Sequence, residues 1–115
     1  MKQFMGILTL LCLTSFAYIS YVKQGTASYY SSKFEGRRTA SGEIFRQDSL
    51  TAAHSSLPFG TRVKVTNLNN DSVVIVRIND RMGSNSRIID LSLKAAKKLN
   101  FVRQGLTQVR VEKIE

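Results

Sequence analysis

The feature that most constrains this chain is a run of β-branched residues leading straight into a polar cluster. Residues 73–78 read VVIVRI, so five of six side chains are β-branched and apolar. A strand that is apolar on both faces is typical of a closed or well-covered sheet. The run ends at Asn79-Asp80-Arg81, where a carboxylate would be fixed by a rigid element yet open to a ligand. The sequence therefore predicts a core strand with Asp80 at its end, as a functional group or as a turn residue.

Short alternating segments and turn residues recur along the rest of the chain. A helix is predicted from the N-cap Ser92 to about Leu99, with Leu93, Ala96 and Leu99 on its apolar face. Residues 69–71, Asn-Asn-Asp, supply hairpin turn chemistry. The other predicted strands are residues 24–30, 50–54, 62–68, 88–91 and 107–114. Because helices and strands do not alternate regularly, we expect a small β-barrel with the helix packed outside.

Size and charge restrict the classes of partner. A chain of 115 residues with 43% hydrophobic content suits one small domain. Its formal net charge of +9 favours nucleic acid, anionic lipid or anionic wall polymers as partners. The basic residues are spread along the chain, so a solvated cationic surface is an equally valid interpretation.

The N-terminal segment indicates export. Lys2 precedes an apolar run that contains no charge until Lys23, which is the order of a signal peptide. Residues 1–22 are therefore predicted to be a signal cleaved before Tyr18 or a retained membrane anchor, in preference to a buried helix of the domain. Either leader would place the domain, residues 23–115, outside the cytoplasmic membrane. Export removes nucleic acid as a partner and leaves the wall glycan as the anionic candidate.

Several chemistries are missing from the sequence. Cys12 is the only cysteine and lies in the leader without a lipoprotein site before it, so neither lipidation nor a disulfide or thiolate site is expected. His54 is the only histidine, which excludes a conventional zinc site, and no GxSxG or phosphate-loop motif occurs. We expect no metal and no cofactor. Glu43, Asp80 and Asp90 remain as carboxylates beside turns and strand ends, where they cap turns or cleave glycosidic bonds.

Four segments resemble one known family. GTASYYSSKFEGRRTASGEIF, LTAAHSSLPFGTRVKVTNLNN, SVVIVRINDR and RIIDLSLKAAKKL follow the order of the rare lipoprotein A (RlpA) family from Gly25 to Glu112. The resemblance implies a mainly β fold, a six-stranded double-psi β-barrel of the barwin and expansin type with one short α-helix. It also implies an endolytic lytic transglycosylase that cuts peptidoglycan strands, preferring those stripped of stem peptides and leaving 1,6-anhydro-muramoyl ends.

The resemblance also assigns residues. Asp80 matches the acid and base, His54 a groove residue needed for activity, and Glu43 a third polar member of that groove. Arg81 is predicted to point away from Asp80. The residues expected to bind substrate are Tyr29, Tyr30, Phe34, Asn79 and Arg81.

The aromatic residues among them have a second interpretation, core packing. Tyr29 and Tyr30 fall on opposite faces of the first predicted strand, so one is expected in the core and one exposed.

The chain departs from the family pattern after the acid. Met82-Gly83-Ser84 replaces the usual Gly-Pro-Phe, and the lipid site and C-terminal glycan-binding repeat of many members are not found. An alternative is therefore an expansin-like module that holds glycan without cutting it. A third is an envelope barrel that binds another protein. We expect a monomer, exported to the bacterial envelope, with residues 1–22 as a possible membrane tether.

Overall fold

The computed structural model describes residues 21–83 and 86–114. The predicted leader therefore lies outside the described residues except for Tyr21, which packs against the core, and Val22, which begins the first strand. Within the described part of the chain there are six strands, one α-helix and a short 3-10 turn. They are β1 (Val22–Tyr29), the 3-10 turn (Ser32–Phe34), β2 (Thr51–Ala53), β3 (Arg62–Asn67), β4 (Val73–Asp80), β5 (Arg87–Leu91), α1 (Leu93–Lys98) and β6 (Thr107–Lys113).

The strands close into a barrel in the order β1-β5-β2-β4-β3-β6. β1 pairs with β5, and β2 with β4, in parallel, whereas the other four pairs are antiparallel. This confirms the prediction of a six-stranded barrel with one short helix. The parallel pairs join strands that are far apart in sequence, so local alternation could not have predicted them.

The core fills the inside of the barrel with alternate residues of each strand. On β4, Val74, Val76 and Ile78 are buried. The strand belongs to a closed sheet, one of the two predicted arrangements, but its outer face is not covered, because Val73 and Ile75 there are 46% and 42% exposed. A barrel this small buries only its inner face unless another element packs on the outside.

The helix follows its predicted signals. The Ser92 side chain accepts a hydrogen bond from the Ala95 backbone N–H, which caps the first turn. The helix buries Ala95 and Ala96 and is followed by the buried Leu99. Asn100 then adopts a left-handed conformation with a φ of 55°, which ends the helix. No helix within residues 21–83 and 86–114 combines the length and apolar character needed to cross a membrane.

One irregularity in β4 decides where Asp80 points. Ala52 of β2 pairs with Ile78, but the next residue, Ala53, pairs with Asp80. β4 therefore contains one extra residue, Asn79, and forms a β-bulge. Because side chains alternate between faces, this extra residue turns Asp80 to the face opposite Ile78. Ile78 is fully buried in the core, and Asp80 is partly exposed on the outside.

A second irregularity lies between β1 and β5. Thr26 pairs with Arg87 and Ala27 with Ile89, so Ile88 is the extra residue of β5. Its side chain packs over Gly25, where a Cβ atom would lie 2.6 Å from Ile88 Cγ2. A larger residue at this position would force the Ile88 side chain to move, so the close approach favours glycine.

The two faces of β4 give a direct test of this register. Ile78→Ala is expected to lower the free energy of unfolding by about 2–5 kcal/mol, because it leaves a cavity in a fully packed core. Ile75→Ala makes the same chemical change on the exposed face and is expected to cost less than about 1 kcal/mol. Urea denaturation of both variants measures the difference. Equal losses would contradict the register.

Candidate active site

The strand register aligns four residues across neighbouring strands. Ser28 of β1 pairs with Asp90 of β5, Asp90 pairs with Ala53 of β2, and Ala53 pairs with Asp80 of β4. Ala53, Asp80 and Asp90 lie in the floor of a surface groove of about 450 Å³, which we call the groove. Its remaining walls are formed by Tyr29, Tyr30, Ser31, Lys33, Phe34, Arg81, Met82, Gly83 and Arg87.

Asp80 is held by three hydrogen bonds. Its Oδ1 atom accepts from the backbone N–H of Ala40 at 2.8 Å and from its neighbour Arg81 N–H at 2.9 Å. Its Oδ2 atom accepts from the Tyr30 hydroxyl at 2.6 Å. The backbone of Asp80 is fixed as well, since its carbonyl accepts from the His54 N–H at 3.1 Å. Oδ1 is therefore occupied by fixed main-chain donors, while Oδ2 faces a side-chain hydroxyl that can rotate.

Tyr30 connects the acid to the aromatic wall of the groove. Its ring stacks on Phe45 with centroids 4.1 Å apart and meets the edge of Phe34 at 5.7 Å. Burial raises the pKa of Tyr30 well above its ordinary value, and the hydrogen bond to Asp80 and the charges of Asp80 and Asp90 raise it further. Tyr30 therefore keeps its proton and presents a neutral hydroxyl to Asp80.

The prediction of one buried and one exposed tyrosine is wrong, because Tyr29 and Tyr30 are both half-buried. β1 ends at Tyr29, so the alternation that would expose Tyr30 stops there. The Tyr29 hydroxyl donates to the Val102 carbonyl at 2.8 Å, and its ring meets the edge of Phe101. Both rings line the groove and also pack against other aromatic side chains, Tyr29 on Phe101 and Tyr30 on Phe45.

His54 follows Ala53 in sequence but, unlike Ala53, is not part of the groove lining. Its side chain is buried, and its Nδ1 atom accepts from the N–H groups of Ser56 at 3.1 Å and Leu57 at 3.0 Å. The ring proton is therefore on Nε2, which donates to the Tyr21 hydroxyl oxygen at 3.1 Å. Burial lowers the pKa of His54, and the nearby positive charges of Arg81 and Lys23 lower it further. The bonds from Ser56 and Leu57 fix residues 54–57 around the buried ring, and the His54 N–H fixes the carbonyl of Asp80.

Glu43 is separated from Asp80 and bound to a cation. Its carboxylate accepts two hydrogen bonds from Arg77, at 2.5 and 2.9 Å, and one from the buried Asn79 amide at 3.3 Å. The hydrogen bonds from Arg77 and Asn79 and the Arg77 charge lower the pKa of Glu43. Neither Glu43 nor Asn79 lines the groove. The ion pair instead ties residues 39–43 to β4, and this turn delivers the Ala40 N–H to Asp80.

Arg81 turns away from the Asp80 carboxylate, as predicted. Its guanidinium lies over the Phe59 ring at 4.2 Å from the centroid, and its Nη1 donates to the His54 carbonyl at 3.4 Å. The structure thus brings Asp80, Tyr29, Tyr30, Phe34 and Arg81 together in the groove.

Asp90, one of the three candidate carboxylates of the sequence, was not among the predicted site residues but lines the groove. Asp90 accepts a hydrogen bond from the Ser28 hydroxyl and pairs with Arg87 at 3.6 Å, and Arg87 donates to Ser28 at 3.0 Å. Asp90 lies between the apolar Ile89 and Leu91, an alternation that signals an outward side chain. The sequence could not show that the β4 bulge brings Asp80 into the same row.

The burial of His54 predicts a loss of stability on mild acidification. In the unfolded chain this imidazole binds a proton below its ordinary pKa of 6.5, but in the folded protein its pKa is lower. The unfolded state therefore binds more protons in this window, and the free energy of unfolding falls as the pH drops from about 7 to about 5.

Two measurements check this. The domain contains a single histidine, so an NMR titration reads the pKa of His54 without ambiguity. The fall in stability should be smaller in His54→Gln. A measured pKa at or above 6.5 would contradict the buried, neutral ring.

Comparison with known proteins places this chain in a family. The sequence model of a family described as "Lytic transglycolase" matches residues 22–111. The endolytic peptidoglycan transglycosylase RlpA of Haemophilus influenzae is 52% identical over 94 residues, which is 81% of this chain and 33% of the relative. A probable endolytic peptidoglycan transglycosylase RlpA of Synechocystis is 51% identical over 100 residues, which is 86% of this chain and 31% of the relative. The chain thus spans about a third of the length of these curated relatives.

Solved structures show the same fold at lower identity. The Streptomyces papain inhibitor has a TM-score of 0.67 at 23% identity, with 83% of this chain and 96% of the inhibitor covered. An expansin of Clavibacter michiganensis in complex with cellohexaose has a TM-score of 0.64 at 20% identity, with 83% of this chain and 51% of the expansin covered. The predicted expansin-like barrel is confirmed. The family match over residues 22–111, together with RlpA relatives about half identical to the chain, shows that the chain belongs to this RlpA-like family of lytic transglycosylases.

Proposed function

We propose that this protein is an endolytic peptidoglycan lytic transglycosylase in which Asp80 is both acid and base. The observation that carries the proposal is the fixed Asp80 carboxyl group in the floor of a groove walled by aromatic rings. The names of relatives that are half identical to this chain support the same reaction.

A lytic transglycosylase can work with one carboxyl group. The acid protonates the glycosidic oxygen as the bond from C1 to that oxygen breaks. The resulting carboxylate then accepts the proton of the C6 hydroxyl while O6 of the same muramoyl residue bonds to C1. The product carries a 1,6-anhydro ring, and water takes no part.

The hydrogen bonds around Asp80 fit this cycle. Because Oδ1 accepts from two fixed N–H groups, the exchangeable proton belongs on Oδ2. Tyr30 lies 2.6 Å from that atom, and its hydroxyl can turn from donating to accepting when Oδ2 becomes protonated. Tyr30 is then a positioning residue, and its ring forms part of the wall with Phe34.

The place of action and the partner follow from the same proposal. The domain acts on peptidoglycan glycan strands in the bacterial envelope, with stripped strands as the preferred substrate. Residues 1–22 would direct export as a cleaved signal or as a retained anchor, and residues 23–115 would act as a monomer.

A non-catalytic, expansin-like glycan-binding module is the second candidate. The observation that favours it is the wall of the groove behind the acid, where Met82 and Gly83 stand in place of the family's Gly-Pro. A less rigid turn at this point would hold Asp80 less tightly against a scissile bond. Such a module would bind glycan and release no product.

The catalytic claim is tested by digesting peptide-stripped glycan strands. The wild-type protein should release 1,6-anhydro-muramoyl products, and Asp80→Asn should release them at least about 100-fold more slowly, because the general acid is lost. Asp48→Asn, which neutralises an exposed acid outside the groove, is the matched control. The absence of anhydro products from wild type, or equal release by Asp80→Asn, rejects the proposal in favour of the binding module.

Tyr30→Phe tests the second contact to the acid. The ring and its stacking on Phe45 remain, but the hydroxyl on Oδ2 is lost. We expect kcat to fall about tenfold with the same anhydro product, in line with the loss of one hydrogen bond to a charged group. Wild-type kcat in a folded Tyr30→Phe variant would show that this contact does not position Asp80.

A further inference from the structure

Within the described part of the chain, two cations in the wall of the groove, Lys33 and Arg81, form no ion pair with a carboxylate. Lys33 belongs to the 3-10 turn that follows β1, and its side chain is exposed at the groove. Its ammonium lies 5.3 Å from the centroid of the Phe34 ring. Among residues 21–83 and 86–114, no ion pair joins Lys33 to an acid.

The nearby acids are already bound to other groups. Glu35 pairs with Arg46 at 3.4 Å and accepts from the Gln47 N–H at 2.8 Å. Asp90 is paired with Arg87. The positive charge of Lys33 is therefore available to a ligand that lies in the groove.

The neighbouring cations are less suited to this role. The Arg81 guanidinium lies on Phe59 and donates to a main-chain carbonyl, and Arg87 is directed to Asp90 and Ser28. Lys33 also has an apolar partner beside its charge, the ring of Phe34. A small group that carries both an anion and a methyl would match this pair.

We infer that Lys33 forms a subsite for the lactyl carboxylate of a muramoyl residue, with Phe34 beside the lactyl methyl group. This inference rests on the proposed function, since it names part of the same substrate. In an intact strand this carboxyl is converted to a neutral amide by the stem peptide, and removal of the peptide restores the anion. The subsite would therefore select stripped strands by charge.

Binding to an inactive background tests this without turnover. Two double variants are compared with the Asp80→Asn parent: one adds Lys33→Gln and the other adds Lys98→Gln. Lys98 is an exposed lysine of α1 outside the groove, so the two double variants have the same net charge. The ligands are stripped strands, the same strands with their carboxylates converted to methylamides, and neutral chitin oligosaccharides. Titrations are run at low ionic strength, where exposed charges are least screened.

Lys33→Gln should weaken binding of stripped strands about two- to fivefold, the range of an exposed ion pair. It should leave the methylamide strands and chitin unchanged, and Lys33→Arg should bind stripped strands as the parent does. Equal loss for free and amidated strands, no loss at all, or the same loss in Lys98→Gln overturns the subsite. Binding is measured in the Asp80→Asn variants and does not depend on turnover. If the wild-type protein released no anhydro products, the proposed reaction would be rejected, but the binding result for Lys33 would still hold.

Discussion

The site depends on one extra residue in one strand. Ile78 and Asp80 are two positions apart, and in a regular strand both would point into the core. The bulge at Asn79 separates them, so Ile78 fills the barrel while Asp80 joins Asp90 in the groove. A closed barrel resists changes in register, because shifting one strand would move every inward side chain outward. The position of the acid is thus fixed by the same packing that stabilises the domain.

A second constraint is the distribution of charge around the groove. Arg77 is bound to Glu43, and Arg87 is bound to Asp90. Asp80 is held by uncharged donors, namely two backbone N–H groups and the Tyr30 hydroxyl. In the proposed reaction Asp80 gives up one proton and takes another, which uncharged donors permit more readily than a permanent cation would; of the three donors, the Tyr30 hydroxyl is the one that can reorient. The Glu43–Arg77 pair lies outside the groove and fixes the turn that donates the Ala40 N–H to Asp80, whereas the Arg87–Asp90 pair lies within the groove.

Local sequence signals predicted the elements well and their arrangement only partly. The β-branched run of β4, the Ser92 cap and the turn at residues 69–71 each depend on neighbouring residues, and the structure confirms the strand and the helix. The exposed Val73 was not anticipated, because alternation does not reveal which face another element covers.

The candidate site was less predictable for the same reason. Asp80 at the end of its strand could be read from the sequence, but the Glu43–Arg77 pair spans 34 positions and the row containing Asp90 requires two parallel strand pairs. The resemblance supplied His54 and Glu43 as residues of interest, and the structure supplies the physical reason each lies where it does. Both organise the backbone that surrounds Asp80.

In the proposed mechanism a single carboxyl group cuts the strand without water, and isotope labelling distinguishes this from hydrolysis. Stripped strands are digested in water enriched in the heavy oxygen isotope, and the products are weighed by mass spectrometry. The anhydro-muramoyl ends should contain no heavy oxygen, since O6 of the sugar closes the ring. Reducing ends that carry the heavy isotope would show that water attacks C1, and would contradict the one-acid mechanism.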